Sequence, residues 1–235
     1  MDIIRTKEAF LEGQLLLIDK PLTWTSFQVV NKMRWAIRKE FDIKKIKVGH
    51  AGTLDPLATG LMLICTGRMT KQIEQFMGMP KTYTGSLRLG ATTPSYDLET
   101  SVSDPKPTDH ISAAMLEEVR AGFLGNIQQK PPIYAAIKKD GKRLYTLARA
   151  GKTIEIPSRE VQITDFELTD VNMPDVSFSV SCSKGTYIRS LAHDFGQKLG
   201  CGAHLTSLKR TAIGSYPLSA ALTLDAFLHS LEAKS

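Results

Sequence analysis

The chain has 235 residues, 42% of them hydrophobic and 23% charged, an ordinary globular balance with enough apolar material for one large domain or two small ones. No apolar run approaches the roughly 20 residues needed to cross a bilayer, and the N-terminus M-D-I-I-R-T-K-E lacks the layout of a signal peptide, so a cytoplasmic protein without membrane attachment is expected. A formal charge of +6 favours a polyanionic partner, and Cys65, Cys182 and Cys201, odd in number and without a C-x-x-C pair, indicate neither a disulfide framework nor a zinc site.

Residues 1–12 read as a frayed lead-in, and Gln14 to Ile18 as a buried strand ended by Asp19-Lys20-Pro21. Thr25 and Gln28 form a T-x-x-Q capping box before a helix to about Lys39. Phe27, Val30, Met33 and Ile37 lie near one face of it, and Lys32, Arg34, Arg38 and Lys39 make a solvated basic face. Leu61 to Cys65 should be a strand, followed by an amphipathic helix from Thr66-Gly67 to Met77 and a half-buried strand from Thr82 to Leu89. Gly90 to Thr108 carries Pro94, Pro105 and Pro107 and reads as a surface loop before a helix from Ser112 to Gly122.

Lys130 to Lys152 concentrates Lys and Arg against a single acid, Asp140. Within it, a D-G turn at Asp140-Gly141 and a short helix R-L-Y-T-L-A-R-A stopped by Gly151 suggest an excursion from the core. Strands from Arg159 to Asp170 and from Val176 to Ser183, a helix from Tyr187 to Leu199, a strand from His204 to Ile213 and a helix from about Leu224 complete the chain. Consecutive strands with scattered helices give an α+β fold with a mixed, largely antiparallel central sheet flanked by helices, in a single domain.

The most informative stretch runs from Val48 to Gly67, V-G-H-A-G-T-L-D-P-L-A-T-G-L-M-L-I-C-T-G. Glycines and Pro56 around Asp55 describe a rigid loop presenting one carboxylate. A phosphate-cradling loop would need Gly-Lys where Gly60-Leu61 stands, a phosphoaspartate site would want a second Asp at Leu57, and five isolated histidines offer no metal-binding pair. Two readings remain open: a turn aspartate capping its own backbone, or a carboxylate serving as nucleophile or base.

The segment G-H-A-G-T-L-D-P-L-A-T-G resembles the catalytic motif of the TruB family of tRNA pseudouridine synthases. The likeness continues in L-L-L-I-D-K-P at 15–21, K-T-Y at 81–83, K-P-P-I-Y-A-A-I-K-K-D-G-K-R-L-Y-T-L-A-R-A-G at 130–151 and C-S-K-G-T-Y-I-R-S-L-A-H-D-F-G at 182–196. The resemblance implies a pseudouridine synthase fold and isomerisation of uridine 55 in the T loop of tRNA: the base is detached, turned and rejoined through carbon. It makes Asp55 the nucleophile, attacking ribose C1′ or base C6, with Tyr83 stacked on the uracil and Arg189 paired with Asp55. His50 would fill the space left by the flipped base, Lys20 would support the site, and Asp97 and Tyr187 would contact RNA. Lys138, Lys139, Lys142 and Arg143 would grip the T loop from a basic flap at about 128–152. The resemblance implies no cofactor, no metal, no guide RNA or protein partner, and a monomer. Family members commonly continue into a small C-terminal RNA-binding domain, which this chain is expected to lack.

Overall fold

A computed structural model of the chain describes residues 3–103, 105–134, 138–139, 142–143 and 156–232. Two compact units emerge, one formed by the chain up to Tyr83 together with the part from Leu208, the other by Thr84 to Ser207. In the first, Thr6 accepts a hydrogen bond from the Ala9 N–H and so caps α1 (Lys7–Glu12). Its Phe10 is fully buried against Phe41, ring centroids 5.4 Å apart. The second half of the expected lead-in is therefore a helix; six residues with one buried anchor leave no periodic pattern to read.

β1 (Leu15–Lys20) leads to α2 (Ser26–Glu40), whose N-terminus carries the expected capping box between Thr25 and Gln28. The buried stripe of α2 is Ser26, Val29, Val30, Met33 and Ile37. Phe27, expected near that stripe, is instead 67% exposed, because at about 100° per residue it falls roughly 100° from the stripe's centre. β2 (Val48–His50) and β3 (Ala58–Thr66) follow. The segment expected to be one helix to Met77 is a 3₁₀ helix over Gly67–Gln72 and then α3 (Ile73–Gly78). β4 (Lys81–Leu89) then carries the chain from the first unit into the second.

The second unit contains α4 (Ala113–Ala121), β5 (Gly125–Gln129), the short hairpin of β6 (Lys138–Lys139) and β7 (Lys142–Arg143), β8 (Arg159–Asn172), β9 (Asp175–Cys182) and α5 (Ile188–Lys198). Its sheet runs β4-β9-β8-β5. Phe166 packs edge-on against Phe123, Phe178 and Phe195 at centroid distances of 6.3, 6.1 and 6.0 Å, an arrangement that suits the ring quadrupoles and fills the space between sheet and helices. The expected turn at Asp140-Gly141, and residues 144–150 of the expected short helix, lie outside the described residues.

β10 (Ala203–Ile213) leads back into the first unit, followed by β11 (Tyr216–Pro217), a 3₁₀ turn, β12 (Leu222–Thr223) and α6 (Leu224–Glu232). There the order is β12-β1-β3-β10, with β1 antiparallel and β10 parallel to β3. Leu17, Leu61, Leu63, Cys65, Phe76 and Ile213 form the buried cluster beside it. The chain is thus α+β, with mixed and mostly antiparallel pairing. Each fully buried aliphatic side chain of β3 contributes about 1.5–3 kcal/mol, which anchors the strand that the Asp55 loop enters.

Candidate active site

Asp55 lies, partly buried, in the loop between β2 and β3, three residues before β3 begins. Around it the backbone is held from several directions. Ser26, the first residue of α2, donates through Oγ to the Leu54 carbonyl at 3.1 Å and accepts from the Leu54 N–H at 2.8 Å. The Pro56 carbonyl accepts from the Thr23 N–H at 2.9 Å and from Lys20 Nζ at 3.3 Å. Ala58 closes the turn by donating to the Asp55 carbonyl at 3.1 Å.

Two cations lie inside this frame. Lys20 is fully buried, and its ammonium also donates to the carbonyls of Trp24 and Pro21 at 2.6 and 2.9 Å. Burial pulls its pKa down to about 8, opposed by the negative charge of Asp55 and reinforced by the positive charge of Arg210. Arg210, 1% exposed, donates from Nε to the Leu61 carbonyl at 2.7 Å and from Nη2 to the Gly52 carbonyl at 3.1 Å. One guanidinium therefore ties together the two shoulders of the Asp55 loop. Its planar fork of donors suits that task better than an ammonium.

Strand register explains why both cations arrive here. Lys20 on β1 and Arg210 on β10 stand opposite the same residue of β3, Gly60. Gly60 has φ of 103°, and a Cβ there would collide with the Arg210 backbone. Only glycine lets the three strands close up beneath the loop. On neighbouring β2, His50 pairs with Ile64, and burial together with the Arg210 charge holds its imidazole below the ordinary range. Lys20, His50 and Asp55 are thus brought together, and Arg210 and Ser26 join them. Tyr83 is 8% exposed on β4.

In the second unit, Arg189 and Asp97 meet. The Arg189 Nε lies 3.6 Å from the Asp97 Oδ2, with side chains 3% and 7% exposed, and Arg189 Nη1 donates to the Ser95 carbonyl at 3.2 Å. Of the surface loop expected over 90–108, the part presenting Asp97 is instead buried at Thr93, Ser95 and Asp97, whereas most of the described residues from Leu98 to Thr108 are exposed as expected. Thr93 and Ser95 hydroxyls donate to the Asp97 carbonyl at 2.6 and 3.1 Å, and the Asp97 carboxylate accepts from the Glu99 N–H at 3.0 Å. Short hydroxyl side chains satisfy this backbone internally, so a composition that resembles a solvated loop can be buried. Tyr96, at φ 64°, stacks on His193 of α5 with centroids 3.8 Å apart and planes 15° apart, which presses the loop onto the helix bearing Arg189.

Tyr187 stands at the N-terminus of α5 with the Arg159 guanidinium 4.4 Å from its ring centroid. Fully buried Gln129 brackets its backbone, accepting from the Tyr187 N–H at 2.7 Å and donating to the Tyr187 carbonyl at 3.0 Å. Lys138 and Lys139 pair with Arg143 and Lys142 across the β6–β7 hairpin. Among the described residues no group of three or more His, Cys, Asp or Glu could hold a metal ion. Sequence reasoning missed Arg210, Ser26 and Gln129. The T-x-x-Q box placed Ser26 at a helix start, but nothing local announced its bond across 28 residues.

The fold and the framed aspartate together define the class. Chains of solved structures share the architecture: one from a Cbf5–Nop10–Gar1 complex superposes with a TM-score of 0.69 at 27% identity, over 94% of this chain and 54% of that one. Another, from an H/ACA ribonucleoprotein bound to a substrate RNA containing 2′-deoxyuridine, gives 0.67 at 25% identity, over 94% and 53%. The chain thus spans about half the length of those proteins. The model of the TruB family pseudouridylate synthase N-terminal domain matches residues 38–188, and that of the tRNA pseudouridylate synthase B C-terminal domain matches 189–235. The tRNA pseudouridine synthase B of Flavobacterium johnsoniae is 56% identical over 97% of this chain and all of its own length; that of Phocaeicola vulgatus is 52% identical over 93% of each. The chain belongs to the TruB family of pseudouridylate synthases.

Proposed function

We propose that the protein isomerises uridine 55 in the T loop of tRNA to pseudouridine, with Asp55 as nucleophile. The observation that carries this reading is the frame around Asp55: two buried cations and a buried serine fix the backbone on both sides of one carboxylate, inside the family's catalytic motif. A rigidly held nucleophile gains rate from pre-set orientation. The carboxylate bonds to the substrate at ribose C1′ or uracil C6, the N-glycosidic bond breaks and the uracil turns; C5 then joins C1′, the bond to the carboxylate breaks and frees it, and the proton lost from C5 is balanced by one gained at N1. The reaction is redox-neutral and releases no fragment, so it calls for no cofactor.

Reaching a uridine inside a folded loop requires extrusion, at about a few kcal/mol. Tyr83 stacks on the extruded uracil and His50, neutral in its buried setting, occupies the space left behind. Arg189 supplies the counter-charge for the carboxylate, with Asp97 and the Ser95 carbonyl aligning the guanidinium. Tyr187 and the β6–β7 residues Lys138, Lys139, Lys142 and Arg143 contact RNA, the hairpin acting as a flap on one catalytic domain. The enzyme acts in the cytoplasm as a monomer, without guide RNA or protein partner.

The test is incubation of the purified protein with an unmodified tRNA transcript, without cofactor, metal or guide, and mapping of pseudouridine by carbodiimide-dependent primer-extension stops. One stop in the T loop is expected, and Asp55→Asn should abolish it while tRNA binding stays near the parent's. Turnover by Asp55→Asn above background contradicts the nucleophile assignment.

A further inference from the structure

Outside the site, α2 shows a feature that the catalytic reading does not use. Trp35 is 56% exposed at mid-helix, and the Nζ atoms of Lys32 and Lys39, one turn to either side, each lie 5.2 Å from its ring centroid. Phe27 and Leu22, towards the N-terminal end of the same segment, are 67% and 54% exposed. From Lys32 to Lys47 the chain is rich in Lys and Arg, against only Glu40 and Asp42. Of these cations, Arg34 and Arg38 are occupied with the backbone, donating to the Val48 and Ile43 carbonyls at 2.9 and 3.2 Å. Lys39, Lys44, Lys45 and Lys47 are exposed.

This ribbon is tied to the Asp55 loop at one end, through the Thr23–Pro56 and Ser26–Leu54 hydrogen bonds, and fifteen residues of helix carry it about 22 Å away. An exposed indole among lysines suits neither a folded core nor a protein interface, whose centre is depleted in Lys. It has the composition of a nucleic-acid platform, where aromatic faces take bases and cations follow the backbone.

We propose that this face of α2 is a second RNA-contact surface, on which Trp35 stacks against an unpaired base of the substrate outside the reacting nucleotide while Lys32 and Lys39 move from the indole to the flanking phosphates. It rests on the tRNA reading above, because a strand whose uridine enters the Asp55 loop must pass one of the loop's neighbours and α2 is tied directly to it. In the free protein the two ammonium groups occupy the ring only through weak exposed cation–π contacts, which an incoming base readily replaces.

Binding of unmodified tRNA transcript tests it. Trp35→Ala should raise Kd at least about fivefold, the lower end for removal of one base–aromatic stack, with the change in KM rather than kcat, and Trp35→Phe should restore most of the affinity. Lys32→Gln with Lys39→Gln should reduce the slope of log K against log salt by roughly 1.4 to 1.8. In a Trp24→Phe background, Trp35 emission should be quenched by tRNA. An unchanged Kd and slope, with emission indifferent to RNA, overturn the proposal and leave the catalytic reading intact; quenching by a protein from the same cytosol but not by tRNA overturns it in favour of a protein partner. A parent that binds no tRNA overturns both.

Discussion

Lys20 is buried as a cation in a place where the unfolded chain would leave it fully hydrated. Desolvation disfavours the charged form, and three carbonyls together with the Asp55 charge recover only part of that cost, so its pKa falls to about 8 from an ordinary 10.5. The sign of the linkage follows. Below pH 8 the group is protonated in both states, and the native state bears the full cost of the buried charge. Between about 8 and 10.5 the native state sheds a proton that the unfolded state keeps, so stability from this group rises with pH across that window. Denaturant unfolding at about pH 7.5 and pH 10, on either side of the native pKa, should therefore show the difference between the parent and Lys20→Met shifting towards the parent at the higher pH; a difference that does not move with pH means Lys20 titrates normally. Lys20 is legible in the sequence because it stands in an Asp-Lys-Pro stretch that the family resemblance covers. Arg210 is not, since one Arg in an alternating strand looks like any solvated strand residue, and its bonds to Leu61 and Gly52 span 149 and 158 positions.

At the scale of elements, the helix–loop clamp between α2 and the Asp55 loop rests on one hydroxyl that both donates and accepts. Ser26→Ala removes both bonds while keeping a good helix former, and it strands a buried N–H and a buried carbonyl at Leu54. The expected cost is about 1–3 kcal/mol, or a fall in Tm of roughly 2–12 °C for a chain of this size, read by thermal unfolding. Because the clamp orients the residue next to Asp55, kcat should fall while tRNA affinity changes little. A variant with lower Tm and unchanged kcat would reduce Ser26 to a structural role. The helix itself is readable from its capping box and stripe, as the long strands are from alternation. Short elements such as α1 and β2 are not, because they owe their existence to Phe10 burial or to pairing with β3 rather than to a local period. The buried loop over Thr93–Asp97 departs from its sequence reading for a related reason: hydroxyls that satisfy a buried backbone have the same composition as hydroxyls that face water.

For the whole molecule, the charge excess has to be located before it means anything. The basic stretch from Lys130 to Lys152 is visible in the sequence, and its root is fixed to α5: Gln129 brackets Tyr187, and Ser190 Oγ donates to the Lys130 carbonyl at 2.7 Å. Beyond that root, β6 and β7 form a two-stranded hairpin whose four residues are all cationic. A run of cations in one stretch of chain favours a polyanionic partner. If that partner is tRNA, replacing Lys138, Lys139 and Lys142 with Gln should weaken binding and reduce its log–log salt slope by about 0.7 to 0.9 for each phosphate that is no longer neutralised. Turnover at saturating tRNA should hold, since the proposed reading puts the chemistry on Asp55 and not on the hairpin. Salt titrations of the triple variant against the parent measure both quantities. A slope unchanged within error removes the hairpin from the RNA interface and leaves its charge without a ligand, whereas a reduced slope with intact turnover separates holding the substrate from converting it.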